Sequence, residues 1–371
     1  MPNEVEMRLY KQMRICLFTL GLVIFFIVTG ATGATVDTVP STSAIDNPNT
    51  SNTDIRPPYV LGQGYKLGDS GVTLGGYTSL QFQDSQNSAP HSALSHLSLF
   101  VWWENSSRFS LFSEVDNQKI LAADSQSEGD DDASFLSIER LYIDYAFNDA
   151  LTLRGGKFLT PIGRWNQLHA DPLVWTTSRP LITVNLFPEH ATGGMAMGNV
   201  SLFGKSTEYT LYVSTSTDLH PDPAEGQFND IHGARLNYPV NDNLQLGISY
   251  AGFDKIMPVE EREELAGLDF IWANHGVELS GEGVWRWSNL GTSHNASGGF
   301  FQGVIPLSTH LFGVGRIESI RNPDLQNTTQ LGLWGLNYRY NRAISLKVEV
   351  IHPLHQSISD PGFLSSVSVL F

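Results

Sequence analysis

The chain has 371 residues, a net charge of -16, 16% charged residues, 34 glycines and a single cysteine. So acidic a chain is a poor ligand for nucleic acid, whose phosphates demand a basic surface. The lone Cys16 lies in the N-terminal segment, so the remainder offers no disulfide, thiolate metal site or cysteine nucleophile.

The first 34 residues have the layout of a secretory signal peptide. Arg8, Lys11 and Arg14 precede an apolar stretch from Ile15 to Val28, and small residues around Ala31 to Ala34 follow. The alternative is a retained inner-membrane anchor, since Ile15 to Val36 could just span a bilayer. With 1–34 removed, 19 basic and 36 acidic residues leave a net charge of -17. Residues 35–71 are rich in Ser, Thr, Asn, Asp and Pro over most of their length and are expected to be a flexible periplasmic leader.

From residue 72 the pattern changes. Segments of about ten residues alternate apolar and polar side chains. Leu244, Leu246, Ile248 and Tyr250 alternate with Gln245, Gly247 and Ser249. Val277 to Trp287 and Ile344 to Val350 alternate in the same way. The reading gives sixteen strands, near 72–82, 93–103, 107–116, 134–147, 151–158, 192–203, 206–215, 230–239, 243–252, 264–274, 276–287, 296–306, 309–319, 327–340, 343–352 and 362–371. Short and long connections alternate between them. No later apolar run could cross a bilayer as a helix, so a membrane-spanning form must be a closed barrel, which satisfies every backbone N–H and C=O. The expected fold is all-β: a 16-stranded antiparallel transmembrane β-barrel over 72–371, with short periplasmic turns and long extracellular loops.

Lumen charges follow from parity, because a charge on the lipid face near the midplane costs about 2–4 kcal/mol. They are Arg108, Asp144, Arg154, Arg235, Glu278, Glu282 and Arg286, with Glu114, Asp116, Arg140, Asp269, Lys347 and Glu349. Glu139 shares a face with Leu141, which points to a bulge. Trp102, Trp103, Phe109, Tyr145, Phe147, Trp285, Trp287, Tyr338 and Tyr340 sit near strand ends, as interfacial girdles or as core aromatics. Acidic loops at 124–132 and 260–264 could hold divalent cations against lipopolysaccharide, or be solvated faces. An acidic wall is expected to disfavour anions.

Gly155-Gly156-Lys157-Phe158-Leu159-Thr160-Pro161-Ile162-Gly163 follows a strand and opens a long connection. This stretch resembles the Gly-Lys/Arg-Phe-x-x-Pro motif of the phosphate-selective porin O/P-like family of bacterial outer-membrane porins. The resemblance implies a 16-stranded barrel, a homotrimer, and a third extracellular loop folded inward to narrow the lumen. Phosphate-selective members rely on an Arg and Lys ladder; this chain is acidic, so phosphate selectivity is not carried over. The connection at 159–191 matches that loop in position. It mixes Trp, Leu, Val and Pro with charges, so it should pack against something. Lys157, Arg164, His169, Asp171 and Arg179 are the candidate constriction residues. Capping the mouth or packing at a subunit interface are the other readings. The terminal Phe371 resembles the signal read by the barrel-assembly machinery. The expected role is passive diffusion of small hydrophilic solutes across the outer membrane of a Gram-negative bacterium, among lipid and lipopolysaccharide. A non-conducting barrel serving as adhesin or structural anchor is the alternative. No cofactor is implied, and enzyme motifs are absent or poor.

Overall fold

The computed structural model describes residues 59–371, apart from 86–89, 105–107, 125–134, 169, 221–225, 227, 257–260, 292–293, 323–326 and 356–361. The expected signal peptide, the leader as far as residue 58, most of the acidic stretch at 124–132 and His169 lie outside the described residues.

Sixteen strands follow one another: β1 (Val72–Ser85), β2 (His91–Glu104), β3 (Phe109–Asp124), β4 (Phe135–Asn148), β5 (Leu151–Leu159), β6 (His190–Leu202), β7 (Lys205–Val213), β8 (Phe228–Pro239), β9 (Leu244–Lys255), β10 (Glu261–Asn274), β11 (Val277–Ser288), β12 (Ala296–Pro306), β13 (Leu311–Asn322), β14 (Asn327–Arg339), β15 (Ile344–His355) and β16 (Gly362–Leu370). Each pairs antiparallel with the next, and β16 returns to β1 from Gly362↔Ser85 to Leu370↔Tyr77. The cylinder is closed, which removes the sheet edges that lipid cannot solvate. Phe371 completes the seam. It exchanges backbone hydrogen bonds of 2.8 and 2.9 Å with Gly76. A Cβ on Gly76 would stand 2.1 Å from the Ser98 carbonyl and 3.0 Å from the Phe371 ring, so only glycine fits.

A short ribbon, Tyr59–Val60 against Gly64–Lys66, pairs onto the start of β1 through Tyr65↔Leu74 and Lys66↔Thr73. It lies in the stretch expected to be a flexible leader.

Parity sorts the side chains by medium. Ile248, Tyr250, Leu268, Trp285, Ile317, Trp334 and Val348 stand on the exposed outer surface. Their sequence neighbours Ser249, Asp269, Arg286, Arg316 and Lys347 are buried inside. An apolar exterior around a polar interior is the arrangement a bilayer imposes on a barrel. The expected bulge is present: β3 and β4 shift register between Glu114↔Arg140 and Val115↔Ile138, which leaves Glu139 extra and turned inward. One reading is corrected. Glu261 to Glu264 are not a loop but the first residues of β10, and Glu263 is buried against Arg286 at 3.1 Å. Trp102 also departs from a girdle position: it shares parity with Phe100 and Ser98 and meets Phe112 edge-on at 5.8 Å.

The interior also holds an apolar core. Ile162, Trp165, Val174, Ile182, Leu186 and Phe187, all from the connection between β5 and β6, pack with Ala251, Phe253, Leu265, Val284, Phe300 and Ile320 of the wall. This is why that connection is so apolar: it is a third extracellular loop folded into the barrel.

Candidate functional site: the narrowed lumen

The inward loop spans residues 160–189 and contains turns at Trp165–Gln167 and Asp171–Leu173 and one helical turn at Leu181–Asn185. Its ends meet where the Thr160 N–H donates to the Glu189 carbonyl at 2.8 Å. Inward carboxylates of the wall then capture its backbone. Glu282 of β11 accepts from the N–H groups of Arg164 and Trp165, at 2.8 and 2.6 Å. Glu349 of β15 accepts from Thr177 and Ser178, at 2.9 and 2.8 Å. Glu318 of β13 accepts from Leu181 at 2.6 Å. Inward cations take the carbonyls: Lys347 donates to Asp171 and Thr176, and Arg316 donates to the Ser178 carbonyl and to the hydroxyls of Thr176 and Ser178. Each buried charge thereby finds several partners, which is the condition for keeping it in so dry a place.

Gly163 makes the first anchor possible. Its φ is +65°, and a Cβ there would fall 2.2 Å from Glu282 Oε2. Gly163→Ala is expected to cost about 1–3 kcal/mol from the left-handed backbone alone. It should also expel Glu282 from its two N–H donors. The check is thermal unfolding together with current noise in a planar bilayer, where a loosened loop should flicker.

The loop covers the inner faces of β9 to β16 and leaves part of the wall from β2 to β8 accessible. On the accessible side four pairs have the cation as the more exposed member, whereas Lys157 and Asp218 are the reverse, at 2% and 13%. Arg140 is 20% exposed and Glu114 0%, at 2.5 Å. His96 is 23% exposed and Asp116 0%, at 2.6 Å. Arg154 and Asp144 stand at 19% and 16%, joined by two bonds of 2.8 Å. From the loop, Arg179 and Glu189 stand at 25% and 11%, at 2.5 Å. Arg140 and Arg154 lie over the rings of Phe112 and Tyr142, 4.6 and 3.6 Å from the centroids, which fixes both guanidiniums against the wall. Asp171 turns toward the same region. Burial opposes its charge, but His96, Lys347, the Ser79 hydroxyl and Arg179 outweigh it and hold the carboxyl below its ordinary range.

The residues expected in the constriction are therefore divided. Arg164, Asp171 and Arg179 belong to the inward loop. Lys157 is held by Asp218 and by the carbonyls of Leu219 and His220, in the connection after β7. Among the expected lumen charges, Arg235 pairs with Asp269 through bonds of 2.6 and 2.8 Å, and Glu278 accepts from Trp175 Nε1 at 2.9 Å. Arg286 meets Glu263 and donates to the Leu186 carbonyl at 3.3 Å. Arg108 stands exposed just before β3, in the turn after β2. Sequence parity did not single out Arg316, Glu318, Arg339 or His96. The first two were findable, since they alternate with the exposed Ile317. His96 was hidden by a register shift between Leu94 and His96.

No family model matches the chain. A protein of uncharacterised function from Aquifex aeolicus (strain VF5) is 31% identical over 120 residues, which is 32% of this chain and 26% of that protein. The match thus spans about a quarter of that relative's length. Among solved structures, the anion-selective porin from Comamonas acidovorans is similar with a TM-score of 0.56 at 10% identity, over 81% of this chain and 99% of that one. OmpF of Salmonella typhi, solved with daunomycin, gives 0.56 at 11% identity, over 82% and 98%. OmpT of Vibrio cholerae, an outer membrane protein in a trimer form, gives 0.53 at 6% identity, over 81% and 99%. At these identities the likeness concerns the fold. A closed sixteen-stranded cylinder with an apolar exterior, a charged interior and this likeness is a β-barrel of the porin fold.

Proposed function

We propose that the chain is a porin: a water-filled channel through the outer membrane of a Gram-negative bacterium, by which small polar and charged solutes diffuse down their gradients. One observation carries this reading. The interior is split into a wall covered by the 160–189 loop and a wall on which His96, Arg140 and Arg154 remain 23%, 20% and 19% exposed, and a polar path beside the loop would run along that second wall. Pore selectivity follows the charges a solute meets. Those are chiefly guanidinium and imidazole groups, with their carboxylates behind them. Despite the net acidity of the chain, we therefore read the passage as mildly favouring anions, against the expectation from bulk charge. Membership of the phosphate-selective porin O/P-like family is part of the proposal and is supported by the 155–163 motif. So are assembly as a homotrimer, contact of the outer band with lipid and lipopolysaccharide, and delivery by the barrel-assembly machinery through Phe371. Liposome swelling tests the central reading. Proteoliposomes should swell in small sugars and amino acids and resist large oligosaccharides. Vesicles as tight as protein-free controls would end it.

A further inference from the structure

At the short-turn end of the lumen, beneath the loop, β10, β11, β12 and β14 join loop residues between Arg164 and Trp175 around a cavity of about 170 Å³. That volume is on the scale of one six-membered ring with its substituents. Its lining differs from the apolar core above it. Arg164 and Arg339 flank Glu278, and Trp165, Trp175 and Phe300 supply aromatic surface. Leu168 and Leu173, both from the loop, are 37% and 49% exposed at its edge, inside what should be an aqueous lumen.

The polar groups are held in place but incompletely used. The Arg339 guanidinium lies 3.6 Å from the centroid of Trp175 and donates from Nη2 to the Leu173 carbonyl at 3.3 Å. Its Nε–H is buried with no hydrogen-bond partner among the described residues. Arg164 reaches Gln245 only at a long 3.4 Å. Glu278 is engaged through Oε1 by Trp175 Nε1. A buried donor without a partner costs about 1–3 kcal/mol, so this one is poised to donate to an oxygen from elsewhere. Glu282, bonded through Oε1 to the loop N–H groups of Arg164 and Trp165, also lines the cavity, so two carboxylates balance two guanidiniums; the group left without a partner is the Arg339 Nε–H, and guanidinium pairs best with carboxylate. Aromatic faces beside convergent polar groups are the usual make-up of a small-molecule site.

We propose that this cavity is a solute-binding subsite for a small hydroxylated ring carboxylate, a sugar acid. Its carboxylate accepts from the Arg339 Nε–H and from Arg164. A hydroxyl donates to Glu278, and the apolar face of its ring lies along the tryptophans. The subsite rests on the channel reading only for the solute's route of entry.

The test uses the full chain folded in detergent, with heat-modifiable gel migration confirming the barrel in every variant. D-Glucuronate is titrated by calorimetry and by tryptophan fluorescence. Saturable binding to the unaltered chain is expected, with glucose and acetate each at least about tenfold weaker, because each lacks part of the donor and acceptor set. Arg339→Gln should lose at least about tenfold, and Glu278→Gln should weaken glucuronate more than acetate. Lys205→Gln, at the distant start of β7, should bind as the unaltered chain does. Absence of saturable binding, or equal binding by Arg339→Gln, overturns the proposal. A chain that conducts salt but ignores glucuronate ends the subsite and leaves the channel; one that binds glucuronate without conducting ends the channel and leaves the subsite.

Discussion

Replacing residues 164–187 with a short Gly-Ser linker is expected to raise single-channel conductance severalfold while the barrel stays folded. The wall is continuous without the loop, and the loop's ends already meet at Thr160 and Glu189, so closing a shorter connection costs little extra chain entropy. The carboxylates of Glu282, Glu318 and Glu349 would exchange backbone N–H donors for lumen water. Stability should fall, because Leu265, Val284, Phe300 and Ile320 lose the apolar surface that covers them. Recording from planar bilayers checks the outcome. Unchanged conductance in a folded variant would mean that the loop does not narrow the path.

The second large effect concerns charge. Arg140→Gln with Arg154→Gln should move the reversal potential in a salt gradient from the anion side clearly to the cation side. Both guanidiniums are the accessible partners of their pairs, and Glu114 and Asp144 would remain behind them. Two positive charges removed from a narrow aqueous passage act on an ion at short range, and salt screens them. The reversal potential should shift less in 1 M salt than the same variant shifts at low salt. A double variant with unaltered selectivity would place the ion path elsewhere in the lumen.

Much of this architecture was legible in the sequence because a barrel wall exposes its logic at every second residue. Ile248 and Tyr250 against Ser249, and Val348 against Lys347, read out correctly from alternation alone. Turn residues marked the hairpins, and even the Glu139 bulge announced itself as a break in parity. Legibility ended where the chain stopped alternating. The apolar character of 160–189 said that it must pack, but the partners of its backbone, Glu282, Glu318 and Glu349, come from strands more than a hundred residues away in sequence. Lys157 shows the same limit: its partners lie in the connection after β7, which no local pattern links to β5. The polarity of the passage was least legible. Bulk charge counts Arg140 and Glu114 equally, whereas burial hides the carboxylate and presents the guanidinium.

The central claim is that one face of each strand meets lipid and the other meets either water or the loop. Cysteine scanning tests it most directly, in a chain whose Cys16 is replaced by serine and which is reconstituted in vesicles with a membrane-impermeant thiol reagent. Cysteines at Thr152 and Thr210 should label rapidly, those at Ile143 and Ile248 should not, and one at Ser366, bonded to Thr177 of the loop, should label only after the loop is excised. Equal labelling of both faces, or labelling at Ser366 as fast as at Thr152 with the loop intact, would contradict the account.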